Sequence, residues 1–241
     1  VREKELYVMD IASDSERKLT AGASPTLSHG TAEFVAQEEM DRTEGYWLSP
    51  DSKMIAYQET STEGMEVMHI ADATHPDREP QAWAYPRPGQ KNADVRLGLI
   101  AIDGGETRLV TWDRERYPYL ATVRWKDQAP LTILVQNRQQ TEEALLRVDI
   151  ETGNTSPLLI EKDEAWINLD PSMPKWVPDG SAFLWTTERN GAWQLELHSA
   201  DGQLIRALTA TDYRYKGFVD LDPDSMTVHL SGSGDPTQTH L

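Results

Sequence analysis

The chain contains no cysteine. That removes disulfides, zinc–thiolate sites and cysteine nucleophiles together. It leaves the compartment open. Cations are scarce beside acids: 23 Lys and Arg stand against 40 Asp and Glu, a net charge of −17. Phosphate binding needs clustered Lys and Arg, so this balance argues against a nucleic-acid partner. The plain reading of the excess acid is solubility; the functional one is a cavity suited to cationic or amine ligands. No apolar run approaches the roughly 20 residues that span a bilayer. The chain opens on Val1 rather than Met, which leads one to expect that the true start lies upstream. Any signal peptide would lie there too.

Familiar catalytic patterns are also missing. There is no G-x-S-x-G elbow, phosphate loop or H-E-x-x-H. Gly232-Ser233-Gly234 is too short and reads as a loop. The six His are scattered without ligand spacing. Asp220, Asp222 and Asp224 alternate like a calcium loop, but Ser225 replaces the required Gly, Pro223 intrudes, and Ser231 stands where the bidentate Glu belongs. They read as a turn. No metal and no cofactor is expected.

What is present is a repeat. An apolar or aromatic residue precedes Pro-Asp-Ser/Gly and an alternating apolar run at Trp47–Tyr57, Trp176–Trp185 and Leu221–Leu230, with a degraded copy at Trp125–Val135. Pro presets the first turn angle, and Asp, Gly and Ser tolerate the rest, so each copy predicts a hairpin. Between them lies a second pattern of strand, Gly/Asp turn and outer strand, at residues 5–20, 96–110, 145–154 and 194–209. Together they predict four-stranded antiparallel units. Pro130, Pro178 and Pro223 give steps of 48 and 45 residues, and the longer step from Pro50 predicts an insertion near Met65–Lys91. A repeat of about 40–50 residues with four strands marks propeller blades. The eight Trp mostly open blades, and core packing is their default reading.

The fold class expected is therefore all-β, a β-propeller in one domain over residues 1–241. The outer strands of one blade, three full blades and the start of another make about four. Either four close a ring, or the chain is an arc of a larger one; the mid-blade start and finish favour the arc. Open sheet edges on an arc would favour association, so a homo-oligomer is expected.

One stretch breaks the β pattern. Ala32–Arg42 has no Gly or Pro and is rich in helix formers. Thr31 is the expected N-cap, Gly45 the stop, and Ala32, Val35, Ala36 and Met40 the apolar side. Glu38 and Glu39 are adjacent, and at least one must leave that side. A solvated helix face is the plain reading. Against it, the helix precedes a blade strand, where an insertion can reach the central channel. Two carboxylates also suit the three donors of a primary ammonium.

The segment Ala32–Met40 with Gly45–Asp51 resembles the double-glutamate segment of the dipeptidyl peptidase IV family. Tyr85–Gly89 with Asn92 and Val95–Leu97 resembles the family segment that follows it, and Glu188–Gly191 and Asp235–Leu241 are similar to later propeller segments of its bacterial members. The resemblance implies an eight-bladed propeller followed by an α/β-hydrolase domain with a Ser-Asp-His triad, releasing X-Pro or X-Ala dipeptides from peptide N-termini. It implies that Glu38 and Glu39 hold the substrate α-ammonium, so that only the second peptide bond reaches the serine. It implies that the hydrolase domain is the missing partner, that this portion is not itself catalytic, and a periplasmic location. Peptides with a free N-terminal amine are the expected ligands. The competing expectation is a non-catalytic propeller that binds protein partners; a third is a related oligopeptidase or acylaminoacyl peptidase, which needs no free amine.

Overall fold

The computed structural model describes residues 1–126 and 128–241. Asp127, in the degraded turn copy after Trp125, lies outside the described residues. Two compact units emerge, Val1–Leu48 with Ser52–Val110, and Ser49–Asp51 with Thr111–Leu241.

In the first unit β1 (Tyr7–Asp10) and β2 (Ser15–Lys18) form an antiparallel pair. β3 (Leu27–His29), the helix α1 (Phe34–Glu39), β4 (Tyr46–Leu48) and β5 (Met54–Ser61) follow. The expected insertion is a separate hairpin, β6 (Val67–Ile70) with β7 (Gln81–Ala84). β8 (Asp94–Ala101) and β9 (Arg108–Leu109) complete the sheet, in the order β3-β5-β8-β9 with β4 also on β5.

The second unit holds two four-stranded antiparallel sheets and a two-stranded one. The first runs β10 (Tyr119–Arg124), β11 (Thr132–Gln136), β12 (Glu142–Val148), β13 (Thr155–Lys162). The second runs β14 (Lys175–Trp176), β15 (Ala182–Thr187), β16 (Gln194–Ser199), β17 (Leu204–Ala207). β18 (Tyr215–Asp222) pairs with β19 (Thr227–Gly232). These are the strands that the two sequence patterns predicted, in sequential meander order.

Central strands are covered on both faces. All five residues of β11 and all six of β15 are buried. Full burial of such β-branched and aromatic strands is the main apolar gain of each sheet. Of the Trp residues that open blades, Trp125 and Trp176 are buried and Trp47 is half-buried. The turns owe their shape to Asp and Gly. Asp179 Oδ1 accepts from both the backbone N–H and the hydroxyl of Ser181, at 2.9 and 2.7 Å. Gly180 takes φ +70°, and a Cβ there would stand 2.6 Å from the Gln128 carbonyl oxygen. Only glycine fits both constraints. Asp222 organises the β18–β19 turn in the same way, accepting from Asp224 and Ser225 N–H groups.

Candidate functional site

The sheet of the first unit changes edge partner midway along β5. Ile55, Ala56 and Tyr57 pair with β4, whereas Glu59, Thr60 and Ser61 pair with β3. Gln58 sits at the changeover. Its N–H donates to the Gly45 carbonyl and its carbonyl accepts from Gly30 N–H, both at 2.8 Å. The chain between Gly30 and Gly45 is thus a loop cinched at its neck, with Thr31 bridged to Glu44. A Cβ on Gly45 would lie 2.4 Å from Thr31 N, so the neck closes only with glycine there.

α1 fills this loop, and it is shorter than predicted, Phe34–Glu39 rather than Ala32–Arg42. Glu33, not Thr31, is the N-cap: its carboxylate accepts from Val35 N at 2.6 Å and Ala36 N at 2.9 Å. A longer side chain reaches back as a short one would. Gly45 is not the stop. The helix ends at Met40, Asp41 turns left-handed at φ 49°, and Arg42 N–H closes on the Ala36 carbonyl at 3.0 Å. The predicted apolar side holds: Ala32, Val35, Ala36 and Met40 are all buried. Phe34 packs on Tyr85 with ring centroids 4.9 Å apart, fixing the helix against the segment after the β6–β7 hairpin.

Arg42 is the side chain under the helix that sequence reading missed. It is buried, donating to the Glu44 carbonyl at 2.6 Å and to Gln58 Oε1 at 2.7 Å. Burial pulls its pKa down to about 10, against the opposing pull of Glu33 and Glu44. Burial likewise raises Glu33, which the Val35 and Ala36 N–H groups and Arg42 counteract. The buried charge is therefore tied to the loop neck and cap rather than to the glutamate pair.

Glu38 and Glu39 both lie exposed on the last turn of α1. Neither has a hydrogen-bond or ion-pair partner among the described residues. Two adjacent carboxylates that neutralise nothing inside the chain are open to an external cation.

Two buried acidic clusters also escaped the sequence. Glu5 and His29 stand with Nδ1 2.9 Å from Oε2, and Glu59 is 3.4 Å from the other ring nitrogen. Burial opposes the Glu5 charge, yet donors from Thr20 and Ala23, with His29 and Lys18 nearby, bring its pKa below the usual range. In the second unit Glu143 faces Glu161 across β12–β13. Glu161 accepts from Trp185 Nε1 at 2.7 Å and from Thr187 Oγ1. Burial first, then Glu161 and Asp170, push Glu143 up to about 8, so it holds a proton. Glu143 lies on β12, a strand covered on both faces, where alternation gives no sign of which side chain is buried, and Glu161 takes an inward position of the alternating β13 that an apolar residue would ordinarily fill. Among the described residues no cluster is suited to a metal ion, and no helix is long and apolar enough to cross a membrane.

Comparison with known proteins agrees with this architecture. Human dipeptidyl peptidase 8 is 27% identical over 219 residues, covering 70% of this chain and 24% of that protein. Its mouse counterpart is 24% identical over 133 residues, 48% of this chain and 15% of the relative. The crystal structure of Porphyromonas gingivalis dipeptidyl peptidase 4 superposes with a TM-score of 0.86 at 20% identity, over 96% of this chain and 33% of that one. It places the fold as a propeller of that kind. The chain spans about a quarter or less of the curated relatives' length and a third of the bacterial structure. The family described as the dipeptidyl peptidase IV (DPP IV) N-terminal region matches residues 1–241, and the chain belongs to that family.

Proposed function

We propose that this chain is the substrate-recognition propeller portion of a serine dipeptidyl peptidase, and that Glu38 and Glu39 hold the α-ammonium of the peptide. The observation that carries the reading is the state of the pair: adjacent, exposed and without a partner, on a helix braced through Arg42 and Gln58. Family membership supplies the context.

A primary ammonium offers three donors, and two carboxylates accept them with charge assistance. A peptide held by its leading amine presents its second peptide bond at a fixed distance, and chemistry there belongs to a hydrolase domain beyond this chain. The propeller's work is positioning, which lowers the entropic part of the barrier. Release of X-Pro or X-Ala dipeptides, a bacterial periplasmic setting and self-association through open blade edges belong to the same reading.

The test is Glu38→Ala with Glu39→Ala in the full-length protein, assayed on a chromogenic X-Pro substrate with a free amine. At about 1.5–3 kcal/mol per charge-assisted bond, kcat/KM falls by roughly 10²–10⁴. Unchanged kinetics would reject the assignment and favour an oligopeptidase that needs no free amine.

A further inference from the structure

A groove lies in the second compact unit, where the first strands of three successive sheets, β10, β14 and β18, come together. Its volume is about 560 Å³, enough for a few side chains of a ligand. Arg124, Lys126 and Lys175 supply charge; Trp176, Phe218 and Leu221 supply apolar wall. No carboxylate is among its described lining residues. In a chain with 40 acids and 23 Lys and Arg, three cations around one groove with no acid among its described lining residues run against the composition.

The two lysines are not used up internally. Neither Lys126 nor Lys175 has an ion-pair partner among the described residues. Lys175 Nζ instead lies 5.7 Å from the Phe218 ring centroid, a weak contact that leaves its charge available. Arg124 donates to the Pro171 carbonyl, which fixes it at the groove's edge. The wall is rigid as well: Trp176 is buried, its Nε1 donates to Thr132 Oγ1 at 3.2 Å, and its ring packs on Phe183 at 5.0 Å.

We infer that this groove binds an acidic peptide segment carrying an apolar or aromatic residue, its carboxylates on Lys126 and Lys175 and its apolar side chain against Phe218 and Leu221. Charge complementarity selects the anion, and the apolar wall selects a ligand with a hydrophobic body over a bare phosphate. The net charge of −17 disfavours nucleic acid, whose long phosphate backbone would meet a net negative chain beyond the groove, whereas a short peptide need not extend past it. The site is independent of the amine grip at Glu38 and Glu39, since it recognises the opposite charge on different residues.

The test is calorimetric titration of the full-length protein with two peptides blocked at both ends, acetyl-Glu-Phe-Glu-Glu-amide and its Gln-Phe-Gln-Gln counterpart. Blocked amines keep Glu38 and Glu39 out of the measurement. The acidic peptide binds at least tenfold tighter than the neutral one, and the difference shrinks as salt rises from about 50 to 500 mM. Lys126→Gln with Lys175→Gln weakens the acidic peptide by about three- to tenfold per lysine at unchanged melting temperature, and Lys126→Arg with Lys175→Arg retains binding. Absent binding, equal affinity for the two peptides, or wild-type affinity in the double Gln variant would overturn the inference. Wild-type binding by a Glu38→Gln/Glu39→Gln variant is expected, which keeps failure here distinct from failure of the amine site.

Discussion

The Arg42 guanidinium lies 2.7 Å from Gln58 Oε1, and the Gln58 backbone holds both ends of the loop that carries α1. One residue of β5 thus fixes the neck of the insertion by its main chain and the buried cation beneath the helix by its side chain. Removing Arg42 would take from Gln58 Oε1 its guanidinium donor and from the half-buried Glu33 a nearby positive charge. Arg42→Met is expected to cost about 2–4 kcal/mol in denaturant unfolding and to lower kcat/KM for free-amine substrates in the full-length protein. A loss below about 0.5 kcal/mol with unaltered kinetics would show that the neck alone positions the helix.

Glu143 makes stability depend on pH in a defined sense. Its folded pKa of about 8 stands above the ordinary 4.5 because burial and the neighbouring Glu161 and Asp170 disfavour its charge. The folded state therefore keeps a proton that the unfolded state releases. Its contribution is intact below about pH 4.5 and is lost as pH rises through 8. Glu143→Gln, neutral at every pH, should leave melting near pH 4.5 almost unchanged. It should stabilise by about 3–5 kcal/mol relative to the parent at pH 9. Parallel melting curves for the two proteins across this range would refute the buried proton.

Two glycines in turns of the second unit separate space from conformation. Gly180 and Gly191 have φ of +70° and +78°, but only Gly180 would place a Cβ against backbone, 2.6 Å from the Gln128 oxygen; Gly191 has nothing within 4 Å. Gly191→Ala should cost about 1 kcal/mol, the conformational part alone. Gly180→Ala should cost at least about 1 kcal/mol more, because backbone must move. Equal losses in thermal or urea unfolding would mean that the turn after Pro178 yields easily.

The blades were legible because their signals are local. The Pro-Asp turns at Pro50, Pro178 and Pro223 and the Gly/Asp turns between outer strands punctuate the apolar runs, and the long step after Pro50 announced the β6–β7 hairpin. The helix was legible in kind and in its buried side, Ala32, Val35, Ala36 and Met40. Its ends were not. A Glu at the N-cap competes with the usual short caps, and the left-handed turn at Asp41 has no glycine to mark it. Arg42 stands in the sequence only as the last helix former of Ala32–Arg42; its burial and its bonds to the Glu44 carbonyl and Gln58 depend on the chain folding back on β5. Glu143 was hidden because β12, covered on both faces, carries no alternation to separate buried acids from exposed ones; Glu161 was hidden because β13 points an acid inward and leaves apolar Ile160 exposed beside it.

The ammonium grip is tested most directly by a crystal structure of the full-length protein with a bound X-Pro dipeptide product. The account predicts the product's amino nitrogen within about 3.2 Å of an oxygen of Glu38 and of Glu39. An amino group bound elsewhere, with both carboxylates left in solvent, would contradict it.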